Sequence, residues 1–192
     1  MAGMEFVPLL FSFVGGIDGP WSVERIVGVK GASLSPAPKL AVRHADETDA
    51  RPLMAAWVLR GRTESDHYVL PHERNALEAV SPPLGRSEAV RAALIPVRKS
   101  GEWWRLPSAE RRAIFEDRSH HIARSLPYLP RIARRLHHSH DLGEPFDFLT
   151  WFEYAAVDEA AFDELVGQLR TTEEWTYVER EVDIRLSRGV GV

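Results

Sequence analysis

Residues 118–140 hold most of the side chains in this sequence that could do chemistry. The segment contains five arginines and five of the chain's eight histidines, and it has no Asp or Glu. Residues 144–183 show the opposite balance, with 12 acidic side chains against two arginines, Arg170 and Arg180. Two interpretations are open: the basic segment forms an anion site, or it is a solvated face joined to the acidic segment by salt bridges.

Composition and short motifs exclude several kinds of protein. The 192 residues include no cysteine, which rules out disulfide scaffolds, cysteine nucleophiles, iron–sulfur clusters and zinc fingers. The sequence has no phosphate-binding glycine loop, no H-E-x-x-H and no G-x-S-x-G. The formal net charge of −4 argues against a nucleic-acid partner. Residues Met1 to Gly16 lack a basic leader, and their apolar run is too short for a membrane span, so we expect a cytoplasmic protein.

The histidine side chains are the remaining candidates for metal ligands. Adjacent histidines on a helix point about 100° apart, so we interpret His137-His138-Ser139-His140 as an exposed helix end rather than a metal site. His121 is the better candidate, because one imidazole can be the axial ligand of haem iron when its second nitrogen donates to a carboxylate. The neighbours that support this hypothesis are Lys99, Trp103, Trp104 and Arg134.

Hydrophobic periodicity, helix-capping residues and prolines predict the helices and strands that must position these residues. Ser108 is a suitable N-cap for a long helical pattern through Arg124, which Pro127 and Pro130 interrupt. The predicted helices after the break are Arg131 to His138 and Glu159 to Arg170, the second capped by Asp158, with a short one earlier at Glu73–Val80. The predicted strands are Phe6–Val14, Pro52–Gly61, Ala92–Val97, Asp147–Ala156 and Tyr177–Leu186, with a loop at Gly31 to Pro38. This order favours an α+β fold with helices packed on an antiparallel sheet.

Four stretches of the C-terminal half share a pattern. They are WWRLP from Trp103, HIARSLPYL from His121, RRLHHS from Arg134 and DFLTWFE from Asp147. Together they closely resemble the chlorite dismutase family of haem b proteins, over residues 95 to 186. The spacing from His121 to the RRLHHS run is the specific part of this resemblance. The short N-terminal half is similar to the short, dimeric branch of the family, which implies a homodimer.

The resemblance implies a role for each matching residue. His121 matches the proximal haem ligand, and Arg134 matches the distal arginine above the iron. Glu174 matches the carboxylate bonded to the proximal histidine, with the adjacent Glu173 as the alternative. Lys99, Trp103 and Trp104 match positions at the haem edge and propionates, where a cation and an indole N–H suit the two anionic groups. Tyr68 matches a tyrosine near the cofactor, although the family more often has Asn before it.

The resemblance also implies a fold and an activity. The fold is two ferredoxin-like halves that form a dimeric α+β barrel with the helices outside. Residues 1–96 would be the shortened N-terminal half and residues 97–192 the haem-binding half. The activity is decomposition of chlorite to chloride and dioxygen through a ferryl and hypochlorite. Because no distal histidine is evident, peroxidase chemistry is not favoured. The alternatives are a coproheme decarboxylase-like enzyme of haem synthesis and a non-enzymatic haem-binding or haem-transfer protein.

Overall fold

A closed barrel of antiparallel strands forms the framework of the protein. The computed structural model describes residues 8–45, 52, 54–63 and 69–189. Within these ranges eight strands follow one another around the barrel in the order β1-β3-β2-β8-β5-β7-β6-β4, and β4 pairs with β1 to close it. The strands are β1 (Leu10–Gly16), β2 (Trp21–Lys30), β3 (Lys39–His44), β4 (Trp57–Arg62), β5 (Arg91–Lys99), β6 (Ala133–His138), β7 (Phe148–Tyr154) and β8 (Val178–Ser187).

The two halves of the barrel have the same strand order. The first half runs β4-β1-β3-β2 and the second runs β8-β5-β7-β6. When the strands of each half are numbered in chain order, both halves read 4-1-3-2. The halves join through the long β2–β8 pairing on one side and through the pair Arg62 and His138 on the other.

Apolar side chains fill the inside of the barrel. Alternate residues of each strand point inward, as the period of two requires. The members of this buried cluster include Phe13, Leu40, Leu59, Leu94, Leu149, Trp151, Val182 and Ile184. The barrel is therefore packed with side chains, and any cavity for a ligand must lie outside it.

Helices cover the outer face of the second half. They are α1 (Pro71–Val80), α2 (Gly101–Arg105), α3 (Ser108–Arg112), α4 (His121–Ser125), α5 (Glu159–Leu169) and α6 (Glu173–Thr176). Helix α5 packs on β5 and β7 through Phe162, Leu165 and Val166. Helix α1 packs on α4 through Leu77 and Ile122. Within the described ranges, no helix is both long enough and apolar enough to cross a membrane.

The predicted helix over Arg131 to His138 is wrong. This segment is the strand β6, which pairs with β7 from Ala133 opposite Glu153 to His138 opposite Phe148. The pairing overrides the helical propensity of the arginine and leucine side chains. The interpretation of the histidine run as an exposed helix end is wrong for the same reason, and His137 is buried.

The single long helix expected through Arg124 is also wrong. Helix α3 ends at Arg112, residues 113–118 form a π-helical turn, and α4 begins only at His121. Between them His120 adopts the left-handed conformation, with φ of 53° and ψ of 41°. Pro107, not Ser108, is the N-cap of α3. The interruption predicted at Pro127 and Pro130 is confirmed, because residues 126–131 form turns before β6.

Most of the other predicted elements are confirmed with shifted ends. The strands β4, β5, β7 and β8, the helices α1 and α5, and the loop over residues 31–38 all correspond to predictions. The first predicted strand corresponds to β1, although its beginning lies outside the described residues. The strands β2 and β3 were not predicted.

Candidate functional site

A cavity lies between the outer face of the second half-barrel and the helices that cover it. Strands β5, β6 and β7 each contribute alternate residues to its wall, and α4, α5 and α6 contribute the opposite side. Most lining residues are apolar, and they include Ile95, Val97, Phe115, Ile122, Leu129, Leu136, Phe148, Phe152, Leu165, Val166, Leu169 and Val178. The polar and charged lining residues include Lys99, His121, Ser125, Arg134, His138, Thr150, Arg170, Glu174 and Glu181.

His121 is the first residue of α4, and its imidazole lines the cavity. Its Nδ1 lies 2.7 Å from Oε2 of Glu174, and its ring stacks on that of Phe115 with centroids 4.5 Å apart. When the Nδ1–H donates to the carboxylate, the neutral imidazole keeps its lone pair on Nε2. The contact therefore fixes both the orientation of the ring and the nitrogen available to a metal.

Glu174 lies between His121 and a buried cation. Its Oε1 accepts a hydrogen bond from Lys99 Nζ at 2.7 Å, and the Lys99 side chain is almost fully buried. Burial raises the pKa of the Glu174 carboxyl, but the Lys99 ammonium and the His121 imidazole outweigh it and hold that pKa well below its usual range. Glu174 therefore stays ionised and accepts a hydrogen bond from each neighbour. Glu173 instead pairs with Arg118, so the geometry selects Glu174 as the partner of His121.

Lys99 bonds a protein carboxylate in this structure, and its contact with a haem propionate stays a prediction. Its ammonium bonds Glu174 and lies over the Trp103 ring, 4.5 Å from the centroid. Trp103 is buried, lines the cavity and also contacts Tyr177. Lys99 and Trp103 thus support the carboxylate behind His121.

Trp104 is a candidate residue that the structure places against partners other than the cavity. Trp104 stacks on His140 with ring centroids 3.7 Å apart, and its Nε1 donates to Asp147 at 3.4 Å. It is not among the cavity-lining residues of the described part of the chain. Tyr68 lies outside the described residues.

Arg134 lines the same cavity as His121, from the strand β6. The alternation of that strand also places Leu136 and His138 in the cavity wall, whereas the neighbouring Arg135 is exposed. His138 is a cavity-lining residue that was not predicted, because residues 131–138 have the pattern of a helix. A period-two interpretation of residues 133–138 would have placed His138 on the same face as Arg134.

The residues of the cavity fit a haem. In the described ranges no group of three or more His, Asp or Glu side chains could hold a metal ion by itself. A porphyrin supplies four nitrogen ligands, so one imidazole with a carboxylate behind it is sufficient on the protein side. Apolar walls on the strand and helix sides suit a flat, largely apolar macrocycle. The donor set and the walls are thus compatible with a haem.

Comparison with known proteins identifies the family. The family model described as chlorite dismutase matches residues 46–190. The chain is similar to the dimeric chlorite dismutase of Nitrobacter winogradskyi, with 56% identity, 93% of this chain and 99% of that chain covered, and a TM-score of 0.86. It is also 36% identical over 86 residues to the chlorite dismutase of Ideonella dechloratans, a match that covers 45% of this chain and 28% of that protein. The chain therefore belongs to the chlorite dismutase family of enzymes.

A more distant structure supports the fold alone. The chlorite dismutase of Candidatus Nitrospira defluvii in complex with imidazole is 19% identical, with a TM-score of 0.68 and coverage of 95% of this chain and 92% of that one. The barrel is thus shared at a level of identity where side-chain roles cannot be transferred.

Proposed function

We propose that this protein is a haem b enzyme that decomposes chlorite to chloride and dioxygen. The observation that carries the proposal is the His121 Nδ1–Glu174 contact of 2.7 Å in a cavity that Arg134 also lines. Membership of the chlorite dismutase family supports the substrate. When bound, the haem would supply a redox-active iron that accepts the anion as a ligand. The course of the oxygen transfer stays a prediction.

His121, Glu174 and Lys99 would form the support of the metal. The ionised Glu174 accepts a hydrogen bond from the Nδ1–H of His121, which increases the electron donation of Nε2 to a bound metal. Lys99 neutralises the carboxylate and keeps it ionised in a buried place. These three residues therefore determine how strongly the protein pushes electron density onto the iron.

Arg134 would attract and hold the substrate anion. A guanidinium is protonated at every working pH, so it attracts chlorite to the cavity without proton transfer. It would also retain the oxidising chlorine-containing anion until the O–O bond has formed, as an electrostatic contribution of a pre-oriented donor. An anion that escapes would instead attack the porphyrin.

The proposal also covers the oligomeric state of the protein and the division of its fold into two halves. We propose a homodimer, which the dimeric Nitrobacter relative supports. The shared 4-1-3-2 strand order supports two ferredoxin-like halves. The boundary predicted between residues 96 and 97 falls inside β5 (Arg91–Lys99), so the second half begins with that strand, and the cavity lies against the outer face of this half. The cytoplasmic location stays a prediction.

Oxygen release measured on a Clark electrode tests the activity, with haem-reconstituted protein whose Soret absorbance has been checked. One dioxygen per chlorite consumed is the expected result. A haem-loaded protein that releases no oxygen would refute the activity and favour haem transfer or coproheme chemistry. A protein without a Soret band would refute the cofactor itself.

The variant Arg134→Ala tests the role of the guanidinium, with Arg135→Ala as the matched control. Arg135 is exposed, and its guanidinium lies over the Phe11 ring, which belongs to the barrel-interior cluster. We expect Arg134→Ala to keep haem, to lose about tenfold to a hundredfold in turnover and to bleach faster. The control should match the wild type. Equal turnover and bleaching in both variants would contradict the assignment.

The variant His121→Ala tests the ligand. It should lose haem or bind it much more weakly, because in the described structure Glu174 is not seen to contact any other imidazole. An unchanged Soret band and occupancy would place the ligand elsewhere.

A further inference from the structure

The backbone immediately before His121 is irregular. The α-helix α3 passes into the π-helical turn of residues 113–118, and the left-handed His120 then reverses the chain into α4. Helix α4 contains only five residues. A helix this short has little stability of its own, and its first amide groups have no partner within the helix. Something outside α4 must therefore hold its beginning, which is where His121 lies.

Glu116 provides that contact from within the π-helical turn. Its Oε2 accepts the amide of Ile122 at 2.6 Å, and its Oε1 accepts the amide of Ala123 at 3.2 Å. Both oxygens of one carboxylate are thus used on two successive amides next to His121. The negative charge also lies at the positive end of the helix dipole, which adds to the attraction.

The same turn holds the partner of His121. Ser119 is fully buried, and its Oγ accepts the backbone amide of Glu174 at 2.9 Å. Glu116 therefore fixes the backbone that carries the imidazole, and Ser119 fixes the backbone that carries the carboxylate. The two side chains are three residues apart on one turn, so the turn determines the geometry of the His121–Glu174 pair.

We propose that Glu116 is a positioning residue that sets the orientation of the His121 imidazole towards the cavity through its two amide contacts. The inference rests on the proposed function only in taking His121 as the iron ligand. A residue that merely stabilises the fold would change the free energy of unfolding and leave the metal–imidazole bond unaltered. A positioning residue changes that bond as well.

The first experiment uses the haem-free chain and so does not depend on the proposed function. Hydrogen–deuterium exchange is measured at the amides of Ile122 and Ala123 in the wild type, Glu116→Ala and Glu116→Gln. We expect exchange about tenfold to a hundredfold faster in Glu116→Ala, because hydrogen bonds to a charged acceptor are lost. Glu116→Gln keeps one acceptor oxygen and should be intermediate. Unchanged exchange in Glu116→Ala would overturn the proposal.

The second experiment uses the haem-loaded protein. Resonance Raman of the ferrous form reports the iron–histidine stretching band, and titration reports haem affinity. We expect Glu116→Ala to shift and broaden this band and to weaken haem binding about tenfold, with partial rescue in Glu116→Gln. Faster exchange with an unaltered band would also overturn the proposal, since Glu116 would then stabilise α4 without orienting His121.

The control variant is Glu110→Gln. Glu110 is an exposed carboxylate on α3 that pairs with Arg118 and is not seen to contact an amide of α4 in the described structure. It should match the wild type in both experiments. If the wild type itself shows no Soret band, the proposed function fails, and the exchange data still decide whether Glu116 holds the beginning of α4.

Discussion

His137 makes the stability of this protein sensitive to acid. Its imidazole is buried inside the barrel, where Nδ1 lies 3.2 Å from the Leu149 carbonyl oxygen and the ring meets Phe11 and Phe13 edge-on. No hydrogen-bond partner of Nε2 is found among the described residues. Burial lowers the pKa of His137 to about 4, against an ordinary value of 6.5. The imidazole is therefore neutral in the folded state at every pH above that value.

The direction of the pH effect follows from proton binding. Between pH 6.5 and about 4 the unfolded chain takes up a proton on this residue and the folded chain does not. The stability contributed by the neutral His137 is thus complete above pH 6.5 and falls as the pH drops towards 4. The full loss is about 3 kcal/mol, and about 2 kcal/mol of it has occurred at pH 5.

The substitution His137→Leu removes the titrating group and keeps an apolar side chain of similar size in the barrel. Urea unfolding of the haem-free protein at pH 7.5, 6 and 5 gives the free energy of unfolding. We expect the wild type to lose about 2 kcal/mol more than His137→Leu between pH 7.5 and 5. His72→Leu, on the exposed surface of α1, is the control and should follow the wild type. Identical pH dependence in all three proteins would refute the reasoning.

Three further substitutions test local packing and backbone geometry. Lys99→Met leaves the Glu174 carboxylate buried without its cation and should cost about 3–5 kcal/mol of unfolding free energy in urea, part of it recovered when Glu174→Gln is added. Gly61→Ala places a methyl group 2.7 Å from the His137 Cβ and should cost about 1–3 kcal/mol, seen as a lower melting temperature. His120→Gly removes the steric strain of a side chain in the left-handed conformation. It should raise the free energy of unfolding in urea by up to about 1 kcal/mol, whereas His120→Ala should not.

The sequence predicts those elements whose pattern is local and regular. The strand β7 and the helix α5 carry apolar residues at the spacing of their own element, and α5 packs on β7 as that spacing requires. The candidate site was predictable mainly through the resemblance. Lys99 and Glu174 are 75 residues apart, and no local pattern shows that their side chains meet at 2.7 Å.

The missed strand β2 has a physical reason. The strand β2 is only partly buried over most of its length, and its pairing with β8 shifts register between Val23 and Arg25 and again between Gly28 and Lys30. Each shift reverses which face a residue points to, so no steady alternation is visible in the sequence. The two bulges therefore explain why β2 was not predicted.

The opposite charges of the two C-terminal segments now have a structural explanation. Arg118 pairs with Glu173, Arg131 with Asp158, and His140 with Asp147, so the basic segment is joined to the acidic one at several points. The salt-bridge interpretation is thus confirmed for these residues. The pairing of His121 with Glu174 belongs to the same pattern, but it lies in the cavity wall.

This pairing limits how the protein could attract an anion. Charges that are neutralised at short range contribute little to the field at a distance, particularly at physiological ionic strength, where screening acts within about 8 Å. Arg118 and Arg131 are therefore weak sources of steering, because their carboxylate partners accompany them. Arg134 differs by its place on β6, where strand alternation directs it into the cavity. Under the proposed function, the cavity wall around Arg134 would attract the anion, whereas Glu174 of the acidic segment holds His121.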